Sequence, residues 1–286
     1  MTNLESLRNR LPSKFARELL SEFYTVRWES PSVRSIEDVG VAHGFHVGLV
    51  RARNEDRIAV SQITTVGGQR FAVAIVCDGV GGSELGDVAA TLAVVTFLSE
   101  LSQARDQHPL PLLLSKLIQK VDDNVRNQLN GRGTTTLSVI VRSAEGEIAA
   151  ANVGDSRIFA WSPRGGSLVQ VSIDDTMENA VKLLAKDDSF LAAHGLRGRL
   201  SQAIGESGRR SADLKIVIYG KAQFPRGAVL ATDGAWKADA IGFERILSNA
   251  ASADEAVRRS LTFANWVGGI DNVSIIAIED LAVFAE

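Results

Sequence analysis

The chain has 286 residues, of which 45% are hydrophobic and 23% charged, the balance of an ordinary water-exposed globular protein with a sizeable core in one large domain or two small ones. A net charge of −3 argues against a nucleic-acid binder working through a basic face, and a single cysteine excludes an internal disulfide framework or a multi-cysteine zinc site. No apolar stretch is long enough to cross a bilayer, and MTNLESLRNRL has no signal-peptide core, so no membrane partner and a cytoplasmic location are expected.

Residues 1–35 read as an N-terminal helical extension. Phe15, Leu19, Leu20 and Phe23 recur at helical spacing, Ser13 is placed to cap that helix, and Pro31 with its serines ends the pattern. A helix docked on the core is expected, with a regulatory arm as the alternative. From about residue 40 short strand-like runs follow at 70–77, 134–141, 147–153, 157–161, 214–219, 228–232 and 273–278. Helical patterns interrupt them at about 87–103, 110–129, 177–193 and 254–266. Polar turns at Ser143 to Gly146 and Pro163 to Gly166 favour antiparallel hairpins, so the fold class is α+β, and residues 36–286 read as one domain.

Five aspartates sit at the ends of apolar runs: Asp56 in RARNED, Asp78 in VCDGVGG, Asp155 in NVGDSR, Asp233 in LATDGAW and Asp271 in GGIDNVS. Any one of them alone reads as a turn or cap, since a lone buried carboxylate is costly. Gly79, Gly81 and Gly82 permit a sharp backbone in which a main-chain carbonyl can face a cation. RARNED adds Arg51, suited to bidentate phosphate contact, and Glu55; taken alone, that hexamer is a surface charge cluster. Gathered at one edge, such oxygens suit two hard divalent cations able to activate a water. The expected chemistry is metal-dependent hydrolysis.

The ordered segments GLVRARNED, VCDGVGG, GRGTTTLSVIV, ANVGDSRIF, LATDGAW and GGIDNVSIIAI, from about Gly48 to Ile278, resemble the PPM family of metal-dependent Ser/Thr protein phosphatases, also called type 2C. The resemblance implies a four-layer α-β-β-α sandwich of two antiparallel sheets flanked by helices. It implies hydrolysis of phosphoserine and phosphothreonine by a metal-bridged hydroxide, with two Mn²⁺ or Mg²⁺ ions. By motif position Asp78 and the Gly79 carbonyl serve the ions, Asp233 and Asp271 complete one site, and Glu55 serves the other. Asp56 orients metal-bound water, Arg51 binds phosphate, and Asp155 belongs to a weak third site. Cys77 reads as a small core residue, and Thr134–Thr136 as packing.

Three departures stand out. Val80 replaces the histidine that animal members carry after Asp-Gly, leaving water as the expected proton donor. Asp174-Asp175-Thr176 stands where Asp-His-Ser is common, and leads into the variable flap, to about Arg199. Lys237 replaces an acid, which predicts a weak or absent third ion or a lysine that contacts phosphate. His43 and His46 read as a polar surface pair, and the four tryptophans as core packing. The expected partner is a phosphorylated protein, the substrate of a Ser/Thr kinase, and no nucleic acid. The alternatives are a catalytically weak or inactive phosphatase-fold binding module and a two-metal nuclease.

Overall fold

In the computed structural model, residues 4–81, 83–105, 108–183 and 188–284 are described. Gly82 and the middle of the helix expected over 177–193 lie outside them. The first strands are β1 (Ser32–Ile36), β2 (Val41–His46), β3 (Asp56–Thr64) and β4 (Arg70–Asp78). They are followed by β5 (Leu137–Ser143), β6 (Ile148–Val153), β7 (Arg157–Trp161) and β8 (Leu168–Gln170). The last are β9 (Val217–Gly220), β10 (Gly227–Ala231) and β11 (Val273–Ile278). One sheet has the order β1-β2-β11-β10-β7-β8, the other β3-β4-β5-β6-β9, and every pairing is antiparallel.

The strands read as continuous apolar runs because both faces are covered. In β4, Val73, Ile75 and Cys77 point to a helical layer, while Ala72, Ala74 and Val76 point to the other sheet. In β11, Val273, Ile275 and Ala277 face helices, and Ile276 and Ile278 face the sheet interior. This period of two divides the molecule into three cores and four layers, α-β-β-α. The middle core uses small side chains, Ala72, Ala74, Ala150, Ala160 and Ala228. Such residues leave room for close approach of the two sheets, with Trp28 and Phe45 filling one side.

The helices are α1 (Leu4–Arg10), α2 (Lys14–Thr25), α3 (Gly86–Ser102), α4 (Leu110–Leu129), α5 (Met177–Leu183), α6 (Asp188–Ala193), α7 (Ala240–Asn249) and α8 (Ala253–Trp266). Helices α3 and α4 cover the five-stranded sheet, and α7 and α8 the six-stranded one. Helix α3 is apolar nearly all round because α2, α4 and the sheet enclose it. Helix α7 carries no run in the expected pattern; Asp239 caps it, accepting from the Gly242 amide at 2.9 Å.

The N-terminal segment is integral to this packing. Ser13 Oγ caps α2 by accepting from the Ala16 amide at 2.9 Å and also meets Ser99 Oγ on α3. Leu7, Leu11, Ala16 and Leu20 are buried in the same core as α3 and α4, whereas Phe15 faces outward. The division drawn at residue 35 falls inside β1, which edges the six-stranded sheet. His43 and His46 are no surface pair: three residues apart on β2, they lie on opposite faces, and His43 Nδ1 is buried. Trp28, Trp161 and Trp236 are buried as expected, but Trp266 is exposed.

Leu20→Ala should therefore cost about 2–5 kcal/mol, the range for an enclosed leucine. Phe15→Ala should cost about 0.5 kcal/mol or less. Urea unfolding of the two variants measures both, and equal effects would contradict the docked arrangement of α2.

Candidate active site

The register of β3 against β4 places Asp56 directly across from Asp78. Strand β4 ends at Asp78, and its backbone is clamped from the neighbouring segment. The Asp78 carbonyl accepts from the Thr136 amide at 2.8 Å and Thr135 Oγ1 at 2.9 Å, while its amide donates to Thr136 Oγ1. A side chain at Gly79 would come within 2.4 Å of the Gly86 backbone, so α3 can begin this close only against glycine. At Gly234 an added Cβ would stand 2.0 Å from the Asn272 carbonyl, which lets Asp233 and Asp271 approach from adjacent strands.

Asn272 ties the loop before β3 to the start of β11. Its Nδ2 donates to the Val47 and Arg53 carbonyls at 2.8 and 2.9 Å, and its Oδ1 accepts from the Glu55 amide at 2.8 Å. Asn54 Oδ1 accepts from the Asp56 amide at 3.0 Å. Buried Arg57 donates to the Asn54 and Asp56 carbonyls and lies 4.7 Å over the Trp28 ring. Asp175 Oδ2 accepts from the Gly154 amide and from Gln202 Nε2, which sets the turn that carries Asp155. Asp174 pairs with Arg157, and the guanidinium stacks on Trp236, 3.3 Å from its ring centroid.

The outcome is a cleft of about 190 Å³ lined by Arg51, Glu55, Asp78, Gly79, Asp155, Asp233, Lys237 and Asp271, with Thr136, Asn272, Val80, Gly81, Gly198 and Leu200. Every residue expected to act at the site lines it except Asp56, which is fully buried behind Asp78. Asp56 Oδ2 accepts from Thr232 Oγ1 at 2.9 Å, and its Oδ1 is buried without a partner. Asn272 and Thr232 have no role in the sequence reading and Thr136 only a packing one, because hydroxyls and amides that hold backbone carry no charge pattern. The Thr-Thr pair does more than pack, since it fixes the Asp78 peptide.

Five carboxylates line the cleft against two side-chain cations. Lys237 Nζ contacts Asp233 Oδ2 at 2.7 Å, and Arg51 contacts Asp271 Oδ2 at 2.8 Å. Burial and the Asp56 and Asp233 charges hold the Asp78 carboxyl well above the ordinary range. Burial, with Asp233 and Asp271, pushes Asp56 up to about 7. Burial and Asp233 raise Asp155 to about 6, against the pull of Lys237, and Glu55 is raised by burial and Asp87. Cys77 is enclosed, and burial pushes its thiol up, so it is a core residue.

An all-oxygen donor set with excess negative charge and an orphaned buried carboxylate oxygen fits hard divalent cations. Among the described residues no three acidic, histidine or cysteine side chains are already drawn around one point. One oxygen of Asp233 meets Lys237 and one of Asp271 meets Arg51, which leaves the second oxygen of each clear of these cations.

Residues 50–239 match the family described as Protein phosphatase 2C. The chain belongs to that family. It is 28% identical over 245 residues to a protein named serine/threonine phosphatase stp from Listeria welshimeri serovar 6b, covering 81% of this chain and 92% of the relative. The structure of serine/threonine phosphatase Stp1 from Staphylococcus aureus aligns with a TM-score of 0.68 at 21% identity, over 84% of this chain and 94% of that one. The catalytic domain of the phosphatase PstP, solved in complex with 2 manganese ions, aligns with a TM-score of 0.64 at 22% identity, over 87% and 98%. These two likenesses show that the phosphatase 2C fold is shared. Among the described residues no helix is long and apolar enough to cross a membrane.

Asp56 gives a pH signature. Its folded value is raised, so the ionised form costs stability above pH 7, and that cost fades as pH falls through about 7 towards the unfolded value. In cation-free buffer the melting temperature of Asp56→Asn minus that of wild type should be most positive near pH 8 and shrink by pH 5. A gap independent of pH, measured by calorimetry, would remove Asp56 from the electrostatic strain.

Proposed function

We propose that the protein is a metal-dependent Ser/Thr protein phosphatase that hydrolyses phosphoserine and phosphothreonine by direct attack of water, with no phosphoenzyme. The observation that carries this reading is the convergence of acids from five separate chain segments on one cleft that also holds Arg51. Family membership supports it, and so does the manganese in the PstP structure. Asp78, the Gly79 carbonyl, Asp233, Asp271 and Glu55 would hold two Mn²⁺ or Mg²⁺ ions, while Asp155, expected at a third site, has the Lys237 charge nearby in place of a third ion. When bound, such ions lower the pKa of water and neutralise charge on the phosphoryl oxygens.

The chain's own groups do the rest. Arg51, partly exposed at the cleft edge, is suited to hold two phosphoryl oxygens through its planar fork. Asp56 is a positioning residue: fully buried behind Asp78 and held by Thr232, it would orient water from beneath the cleft and does not touch substrate. No histidine lines the cleft among the described residues, and Val80 stands where animal members carry one. The leaving oxygen therefore takes its proton from water. A fold kept only for binding is not favoured, because the acids and Arg51 are all present in one cleft. The substrate would be a phosphorylated protein made by a Ser/Thr kinase.

Lys237 supplies from within the chain the positive charge that a further ion would bring to Asp233 and Asp155. Calorimetric Mn²⁺ titration should show one more ion bound by Lys237→Asp than by wild type; equal stoichiometry would count against this role. Asp78→Asn and Asp233→Asn should each lower Mn²⁺-dependent phosphate release from phosphothreonine peptides by about a hundredfold or more with folding intact. A folded wild type without turnover in Mn²⁺ or Mg²⁺ would overturn the phosphatase reading.

A further inference from the structure

We infer that Leu49, Val50 and Ile270 form an apolar shelf at the mouth of the cleft that takes a hydrophobic side chain of the substrate adjacent to its phosphorylated residue. The inference rests on the phosphatase reading and deepens it. These side chains are 67%, 68% and 56% exposed. Singly exposed apolar residues are commonplace and need no explanation. Here the three lie on two loops laced together, and the next residue of each loop enters the cleft: Arg51 follows Val50, and Asp271 follows Ile270.

The lacing makes the exposure a built feature. The Leu49 amide donates to the Gly269 carbonyl at 2.7 Å, and Arg51 pairs with Asp271 at 2.8 Å across the same two loops. Gly48 has φ +85, and a Cβ there would lie 2.4 Å from the Asp271 carbonyl; a Cβ on Gly269 would lie 2.7 Å from Leu49 Cγ. The backbones are therefore in contact and hold the side chains outward. Trp266, 80% exposed, contacts Phe263 at a ring separation of 6.0 Å and is left out, since it lines a hollow with Arg258, Arg259 and Thr262 that shares no residue with the cleft.

A peptide is the occupant that fits. The cleft lining is mostly polar, with Val80 and Leu200 as its apolar members, and matches a phosphoryl group. Val50 and Ile270 each immediately precede a residue of the cleft, so a peptide whose phosphate reaches Arg51 carries its flanking residues past this lip. A protein substrate covers the shelf and gains by burying it. A small phosphate monoester has nothing to place there.

The test compares kcat/KM in Mn²⁺ for phosphothreonine peptides that carry Leu, Ser or Asp on either side of the phosphothreonine, with para-nitrophenyl phosphate as the substrate that has no flank. Wild type should prefer Leu over Ser on one side by about five- to tenfold, as for partial burial of one leucine, and disfavour Asp there. The double variant Val50→Thr/Ile270→Thr keeps the β-branched shape and should lose that preference. Turnover of para-nitrophenyl phosphate without any flank preference in wild type would overturn the shelf and leave the phosphatase reading standing. A preference that survives in the double variant would also overturn it, assigning selectivity elsewhere. Absence of turnover on every substrate by folded wild type would sink the phosphatase reading and the shelf with it.

Discussion

Pairing Asp56 with Asp78 across the first rung of β3 and β4 is the constraint around which the rest of the structure is arranged. Antiparallel neighbours in register sit within a few ångströms, and like charges there oppose each other. Asp56 is fully buried and Asp78 partly so where it lines the cleft, and Asp233 adds to the crowding from the other sheet. Holding Asp56 ionised costs on the order of 4 kcal/mol relative to the unfolded chain, if its carboxyl shifts from 3.8 to about 7. That is a large part of the net stability of a typical domain. The three apolar cores, each built from alternate residues of the same strands, supply the rigidity that keeps these acids from relaxing apart.

Rigidity also has a local source. The acids are held through their backbones mostly by neutral groups, Thr135 and Thr136 on Asp78, Asn54 on Asp56, and Asn272 on Glu55, with buried Arg57 also on the Asp56 carbonyl. A neutral donor or acceptor fixes a peptide without neutralising the carboxylate beside it, so the side-chain oxygens stay available for cations. Two charged partners meet the side chains themselves: Arg51 pairs with Asp271, both partly exposed, and half-exposed Lys237 pairs with buried Asp233.

The features legible in the sequence were those with a physical signature in one dimension. Strand β4 was visible as FAVAIVC because both faces are apolar, and Asp78 because it is the first acid to follow. Ser13 was visible as a cap and α3 as a long apolar helix. Less was legible where a residue works through a distant partner. Asn272 reads as a turn beside Asp271 until strand β11 is set against the loop before β3. Asp175 reads as a departure from a family triplet until it is found bonded to the Gly154 amide, 21 residues away. A docked helix is expected from the stripe of α2, but neither the joining of α1 nor the choice of the α3 and α4 core is, since Leu7 and Leu20 look like any amphipathic stripe until α3 is placed beneath them. Strand β1, with its mixed SVRSI pattern, has only one neighbour and an exposed edge, so it carries little apolar signal.

The division between cleft and lip has a consequence for selectivity. Acids, cations and a guanidinium recognise a phosphoryl group whatever carries it, so the cleft by itself cannot tell one phosphoprotein from another. Discrimination has to come from side chains that meet the substrate beyond the phosphate. Two regions of this chain do so by position: the lip made by residues 48–50 and 268–270, and the segment after Asp175 that brings Gly198 and Leu200 to the cleft. The lip is tied to the catalytic loops by the Leu49–Gly269 hydrogen bond and the Arg51–Asp271 pair. The segment after Asp175 is tied by Gln202 and the Ser201 amide, which donates to the Asp175 carbonyl at 2.8 Å. Both are therefore anchored at the acid-bearing turns, an arrangement that lets the surface read by a substrate change in sequence while the carboxylates keep their places.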